Sequence, residues 1–200
     1  MLYYEKKFLQ EGYRTIIGVD EVGRGPLAGP VVASAVTLNN YNFSCRIDDS
    51  KKLSPRQRET AFRQIIGQSV FGIGVINEKI IDRLNIRVAS EMAMEQAVRA
   101  LLEKLRQGQR RNCCLLVDGR ITLKLGHFCL GIVRGDGKSL SIASASILAK
   151  VVRDRIMSLY DKRFPKYGFL KHKGYPTQMH RRALEKYGPC LIHRMSFSGV

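Results

Sequence analysis

Ile16-Ile17-Gly18-Val19-Asp20-Glu21-Val22-Gly23-Arg24-Gly25-Pro26, continuing into Leu27-Ala28-Gly29-Pro30, is the stretch on which the fold turns. The apolar residues read as a buried strand running from about Arg14 to Glu21, and the glycines and Pro26 then forbid its simple continuation. Two adjacent carboxylates therefore fall where a strand ends and backbone amides become available. Val31-Val-Ala-Ser-Ala-Val36 follows closely enough to pair antiparallel with the first strand, so a hairpin opens the fold.

Downstream, Ser54 as N-cap, Pro55 at the first helical position and Gln57 closing a capping box predict a helix ending near Gly67. Val70–Ile76 reads as a third strand whose Gly72 and Gly74 imply close backbone approach on one face. From about Ile86 the period changes, and Ala89, Met92, Ala93, Ala97, Ala100, Leu101 and Leu105 mark a long amphipathic helix that Gly108 should terminate. Cys113–Val117 is wholly apolar, as expected of a central strand buried on both faces, and leads straight into Asp118-Gly119. Phe128–Val133 repeats that arrangement and delivers Asp136 within Gly135-Asp136-Gly137. A second long helix follows, capped by Ser139 or Ser141, with Ile142, Ala145, Ala149, Val152, Ile156 and Leu159 as its buried stripe. Strands followed by βα units predict an α/β fold: a mixed five-stranded sheet flanked by helices. Residues 1–163 form the catalytic domain in this reading. Residues 164–200, with a short helix over about Thr177–Tyr187, form a basic helical extension with no independent core.

The chain of 200 residues carries 34 Lys and Arg against 17 Asp and Glu, a formal charge of +17. That imbalance points to a polyanionic partner, nucleic acid before an acidic membrane. No apolar run approaches the roughly 20 residues of a spanning helix, and the polar N-terminus lacks a signal-peptide pattern, so a cytoplasmic protein is expected. The five cysteines are odd in number and contain no C-x-x-C pair, which argues for reduced thiols over disulfides or zinc. His127, His180 and His193 read as structural.

Three strand exits present Asp20 and Glu21, Asp118, and Asp136. Clustered acids raise one another's pKa and persist chiefly when divalent cations neutralise them. All-oxygen ligands favour Mg²⁺ or Mn²⁺ over Zn²⁺. Inside a basic surface, such a cluster predicts metal-assisted hydrolysis of a phosphodiester. Adjacent strand residues point to opposite faces, so Asp20 and Glu21 can share one site only if the strand bends or ends there. Gly23-Arg24-Gly25 offers either a plain turn or amides exposed to a ribose or phosphate. Lys51 and Lys52 precede a helix N-terminus favourable to phosphate, and Tyr175, in a Lys- and His-rich segment, suits stacking.

GVDEVGRGPLAGPVVASAV from Gly18, DSKKLS from Asp49, VDG from Val117, GDGKSLSIASASILAKVVRDR from Gly135, YGFLKHKGYPT from Tyr167 and HRMSF from His193 together resemble bacterial type 2 ribonuclease H, ribonuclease HII. The resemblance implies an RNase H-like fold with a helical C-terminal extension. It further implies cleavage of RNA in RNA-DNA hybrids, and at ribonucleotides embedded in duplex DNA, to 3′-hydroxyl and 5′-phosphate ends. By the same resemblance Asp20, Glu21, Asp118 and Asp136 hold the metals, Gly23, Arg24 and Gly25 sense the ribose 2′-hydroxyl, and Tyr175 stacks on the following deoxyribose. A monomer is expected. Arg120, where many members have asparagine, and Met195, where arginine is common, depart from the pattern. A junction-resolving or transposase-like nuclease would share the acids without the GRG loop and Tyr175. A non-catalytic RNA-binding protein would not need acids at successive strand exits.

Overall fold

A computed structural model describes all residues, Met1–Val200. In chain order the elements are α1 (Tyr3–Gln10), β1 (Thr15–Val22), β2 (Val31–Leu38), α2 (Pro55–Gly67), β3 (Ser69–Ile76), α3 (Glu78–Leu84), α4 (Ile86–Leu102), α5 (Gln107–Arg111), β4 (Cys113–Asp118), β5 (Phe128–Ile132), α6 (Leu140–Arg163), α7 (Phe169–His172) and α8 (Gln178–Tyr187). The five strands form one mixed sheet in the order β3-β2-β1-β4-β5. β1 lies at its centre, antiparallel to β2 and parallel to β4, and β5 runs parallel to β4. This is the α/β architecture that the strand and helix pattern implies.

Side chains alternate across β1, and each face receives one long helix. Ile17 and Val19 join the core formed with Ala89, Ala93, Ala97 and Leu101 of α4. Ile16 packs on the opposite face with Ile142 of α6 and with Cys114 and Leu116 of β4. The glycines set how closely the helices approach. A Cβ on Gly74 would stand 1.9 Å from the Ala93 carbonyl oxygen, and one on Gly18 would stand 2.1 Å from the Ser141 carbonyl carbon. The capping box of α2 forms as its sequence dictates, with Ser54 accepting from the Gln57 amide and the Gln57 side chain returning to the Ser54 amide. Ser139, not Ser141, caps α6 by accepting from the Ile142 amide.

Several expectations are corrected. The long helix stops at Leu102, not at Gly108, because Leu105 turns back into the core while Arg110 donates to the carbonyls of Glu103 and Leu105. Gly108 then sits inside α5. Met92 is exposed, and Met94 and Val98 are buried in its stead. Along α6 the predicted stripe holds only in the N-terminal half. Leu159 is exposed and Val152 and Ile156 are half-buried, whereas Arg153 and Met157 are buried. The helix there outruns the sheet and turns a different face to the C-terminal segment. Helices α1 and α3 were not anticipated. α1 is held by Phe8, which packs against Tyr13 and Phe128, and by the buried Glu5. Glu5 accepts from the Ser139 hydroxyl at 2.6 Å and the Ser141 amide at 2.9 Å at the start of α6.

Residues 164–200 pack back on the β1–β2 loop and the C-terminal half of α6. Tyr167, Phe169, Ala183 and Ile192 share a core with Ala28 of the β1–β2 loop and Met157 of α6. Leu27 donates its amide to the Gly174 carbonyl, and Arg194 donates its own to Leu27. No helix is long and apolar enough to cross a membrane.

Candidate active site

The acids gather where the central strands stop. β1 pairs with β4 only as far as Val19 and Val117, and Asp20 and Asp118 follow side by side on the α6 face. On the other edge β1 stays paired with β2 through Val22, so the strand does not end at its acids. Asp118 is nevertheless a shared neighbour: its charge acts on both Asp20 and Glu21. It lines a cleft of about 280 Å³ with Glu21, Arg24 and Arg120, and a second of about 570 Å³ with Asp49, Lys51, Lys52, Arg134, Asp136 and Lys138.

Asp20 is 5% exposed, and its carboxylate accepts from the Glu21 amide at 2.7 Å, with the Ser146 side chain of α6 favouring its charged form. Burial first, then the charges of Glu21 and Asp118, push its pKa well above the usual carboxylate range. Glu21 is also raised, chiefly by burial, with Arg24 at 3.4 Å opposing. Asp118 accepts from the Gly135 amide at 2.6 Å, which ties the exit of β4 to the 3₁₀ turn Gly135–Gly137 that carries Asp136. Burial, then Asp118 and Asp49, raise Asp136, and Lys51 opposes them.

Lys51 belongs to this cluster electrostatically. Burial works against its charge, yet Asp49, Asp20, Asp136 and Tyr175 outweigh that and raise its pKa. Lys52 instead pairs with Asp48 at 3.2 Å, and it lines the larger cleft with its Nζ 3.9 Å from where a Cβ on Gly137 would stand. The Asp49-Ser50-Lys51 loop is anchored by Ser50, whose hydroxyl lies 3.0 Å from that of Ser146, the residue that also favours the charged form of Asp20. Asp49, Ser50 and Ser146 were not singled out from sequence, since a loop aspartate and a helical serine carry no local signal of a distant carboxylate.

Gly23 has φ +102°, and a Cβ there would lie 2.3 Å from Arg153 Nε and 2.8 Å from the Pro30 oxygen, so only glycine fits. A Cβ on Gly25 would lie 3.8 Å from Tyr175 Cε1. Tyr175, 38% exposed, therefore stands over the glycine loop with its ring open to a ligand. Its amide donates to the His172 carbonyl, and its carbonyl meets His180 Nδ1 at 3.0 Å. Arg120 lines the smaller cleft, whereas Met195 is exposed away from it and donates its amide to Asp82. His180 and His193 are buried and joined Nε2 to Nε2 at 3.0 Å, far from any role at the acids. The five cysteines are all free.

The donor set is wholly carboxylate oxygen, and three of the acids, Asp20, Glu21 and Asp136, are held charged only against burial and the repulsion of neighbouring carboxylates. Those residues fit a hard divalent cation. No three of the His, Cys, Asp and Glu side chains close on a common point, however.

The model of the family described as Ribonuclease HII matches residues 17–200. The ribonuclease HII of Syntrophotalea carbinolica is 48% identical over 200 residues, covering 100% of this chain and 92% of that protein. That of Caldicellulosiruptor bescii is 47% identical over 194 residues, covering 96% and 91%. Among solved structures, the ribonuclease H2 of Pyrococcus horikoshii superposes with a TM-score of 0.73 at 25% identity, over 92% of this chain and 94% of that one. Bst-RNase HIII in complex with Mn²⁺ shares the fold with a TM-score of 0.70 at 16% identity, over 96% of this chain and 70% of that one. Sheet topology, the acids at the strand exits and full-length similarity agree, and this chain belongs to the ribonuclease HII family of ribonuclease H enzymes.

Proposed function

We propose that this protein hydrolyses the RNA strand of RNA-DNA hybrids and cuts 5′ of ribonucleotides embedded in duplex DNA, leaving 3′-hydroxyl and 5′-phosphate ends. The observation that carries the reading is the adjacency of the acid edge to the glycine loop: Glu21 and Gly23 are two residues apart, and Tyr175 closes over Gly25. Asp20, Glu21, Asp118 and Asp136 would hold Mg²⁺ or Mn²⁺; the Mn²⁺ complex of the type 3 relative lends support to the latter. Bound divalent ions supply an activated water and neutralise charge on the leaving 3′-oxygen. Gly23, Arg24 and Gly25 test for the 2′-hydroxyl, the feature that separates RNA from DNA at one position. Tyr175 stacks on the sugar that follows, and Lys51 steadies the phosphate beside Asp136. Lys52 contributes to the basic rim that attracts the duplex, along with the overall charge of +17. Residues 164–200 act as an appended part of the catalytic domain. The protein works as a monomer in the cytoplasm.

The test compares all-DNA, single-ribonucleotide and RNA-DNA hybrid duplexes of one sequence, with Mg²⁺, Mn²⁺ or chelator. Cleavage of the second and third only, abolished by chelator, is expected. Asp118→Asn should lower it by roughly 10²–10³-fold, the scale on which a single charge-stabilising group matters. Equal cleavage of all-DNA duplex, or an active Asp118→Asn protein, overturns the reading.

A further inference from the structure

Two arginines are completely buried, Arg153 of α6 and Arg194 of the C-terminal segment, and neither forms an ion pair with any carboxylate. Burial draws both pKa values down, to about 10 and about 9, so both stay charged at neutral pH. Their hydrogen bonds go to main-chain carbonyls alone. Arg194 donates from Nη2 to Gly23 at 2.6 Å, from Nη1 to Arg24 at 3.0 Å, and from Nε and Nη2 to Gly29 at 2.9 and 2.8 Å. Arg153 donates to Pro30, Ala28 and Lys173 at 2.9, 3.1 and 3.0 Å. A buried charge without a counter-ion is costly, and apolar side chains of similar volume would often serve stability as well or better. What the guanidiniums supply and an apolar side chain cannot is direction.

In a trans peptide the carbonyl and the next amide point opposite ways, and no peptide here is cis. With the Gly23 and Arg24 carbonyls drawn inward onto Arg194, the amides of Arg24 and Gly25 must face outward. Neither amide donates to any acceptor in the chain, and both residues are exposed. A cation behind each carbonyl also polarises the peptide and strengthens its outward N–H as a donor. We infer that Arg194, backed by Arg153, is a positioning residue that aims the Arg24 and Gly25 amides at the substrate ribose. Lysine could not replace it, because a point charge lacks the planar fork that spans several carbonyls at once. Arg153 extends the same control through Lys173 to the segment bearing Tyr175. The inference rests on the reading of the glycine loop as the ribose sensor.

The test is binding, in chelator, of a duplex with one ribonucleotide against the all-DNA duplex of the same sequence. The unmodified protein should prefer the former. Arg194→Lys should reduce that preference by about tenfold, the loss of roughly one charge-assisted hydrogen bond, with all-DNA affinity unchanged because phosphate contacts remain. A preference retained in folded Arg194→Lys, or an equal fall for both duplexes, overturns the inference. No preference in the unmodified protein overturns the ribose-sensing reading first, and this inference with it. If Arg194→Lys does not fold, amide hydrogen exchange on the unmodified protein decides. The Arg24 and Gly25 amides should be unprotected when free and slowed by the ribonucleotide duplex but not by all-DNA. Protection in the free protein, or the same response to both duplexes, overturns it.

Discussion

At the scale of the residue, Asp20 shows how a site of this kind weighs on the fold that holds it. Its carboxyl is buried among Ser146, Glu21 and Asp118, and the folded state raises its pKa. A raised carboxyl binds its proton more tightly folded than unfolded, so its contribution to stability is present at low pH and is lost as pH rises through the folded value. At neutral pH the ionised Asp20 therefore works against folding unless a cation compensates it. Asp20→Asn should raise the melting temperature in chelator by roughly 2–4 °C per kcal/mol recovered in a chain of this size, while abolishing cleavage. Thermal melts with and without Mg²⁺ check this, and a lower melting temperature in chelator would count against it. The acids themselves were legible because each ends an apolar run. Arg153 and Arg194 were not, since nothing in their neighbours marks an arginine as buried or says which carbonyls it will meet.

At the scale of the element, glycine spacing carried more information than hydrophobic periodicity. Gly18, Gly72 and Gly74 let helices lie directly on strands, and α6 crosses β1 at Gly18, two residues before Asp20. Gly18→Ala should push α6 from the sheet and cost about 1–3 kcal/mol as an overpacked core. It should also disturb the Ser146 contact to Asp20, because that serine rides on the displaced helix. Chemical denaturation measures the first effect and cleavage rate the second; unchanged stability would mean the contact relaxes cheaply. The α2 cap was legible to the residue because capping is a local hydrogen-bond pattern. The second half of α6 was not, because its buried face is chosen by the C-terminal segment and not by the sheet.

For the whole molecule, the C-terminal segment is knit together internally by a histidine cluster. His172 stacks on His180 at 4.4 Å between ring centroids, and His180 meets His193. Burial, first among the causes, lowers all three pKa values, that of His180 to about 4. A histidine depressed below its ordinary 6.5 contributes stability that is full above that value and is lost as pH falls toward about 4. Residues 164–200 should therefore loosen between about pH 6.5 and 4. The raised carboxyls titrate with the opposite sign, so the readout must be local: limited proteolysis should cut this segment faster at pH 5 than at pH 7.5. Equal cutting would show that the cluster does not hold it.

The amino-acid sequence by itself determined the central hairpin, the capped helix α2, the buried strand β4, the acids at the strand exits and the basic character that calls for a polyanion. Those follow from short-range rules: periodicity, capping, glycine conformational freedom and charge balance. Tertiary structure alone decided that Asp20 and Glu21 share Asp118 as a neighbour although β1 stays paired with β2 past them, and that Gly23-Arg24-Gly25 is held from behind by Arg194, 170 residues from Arg24. Peptide orientation in a loop is set by whichever donors reach its carbonyls, and here those donors come from the far end of the chain.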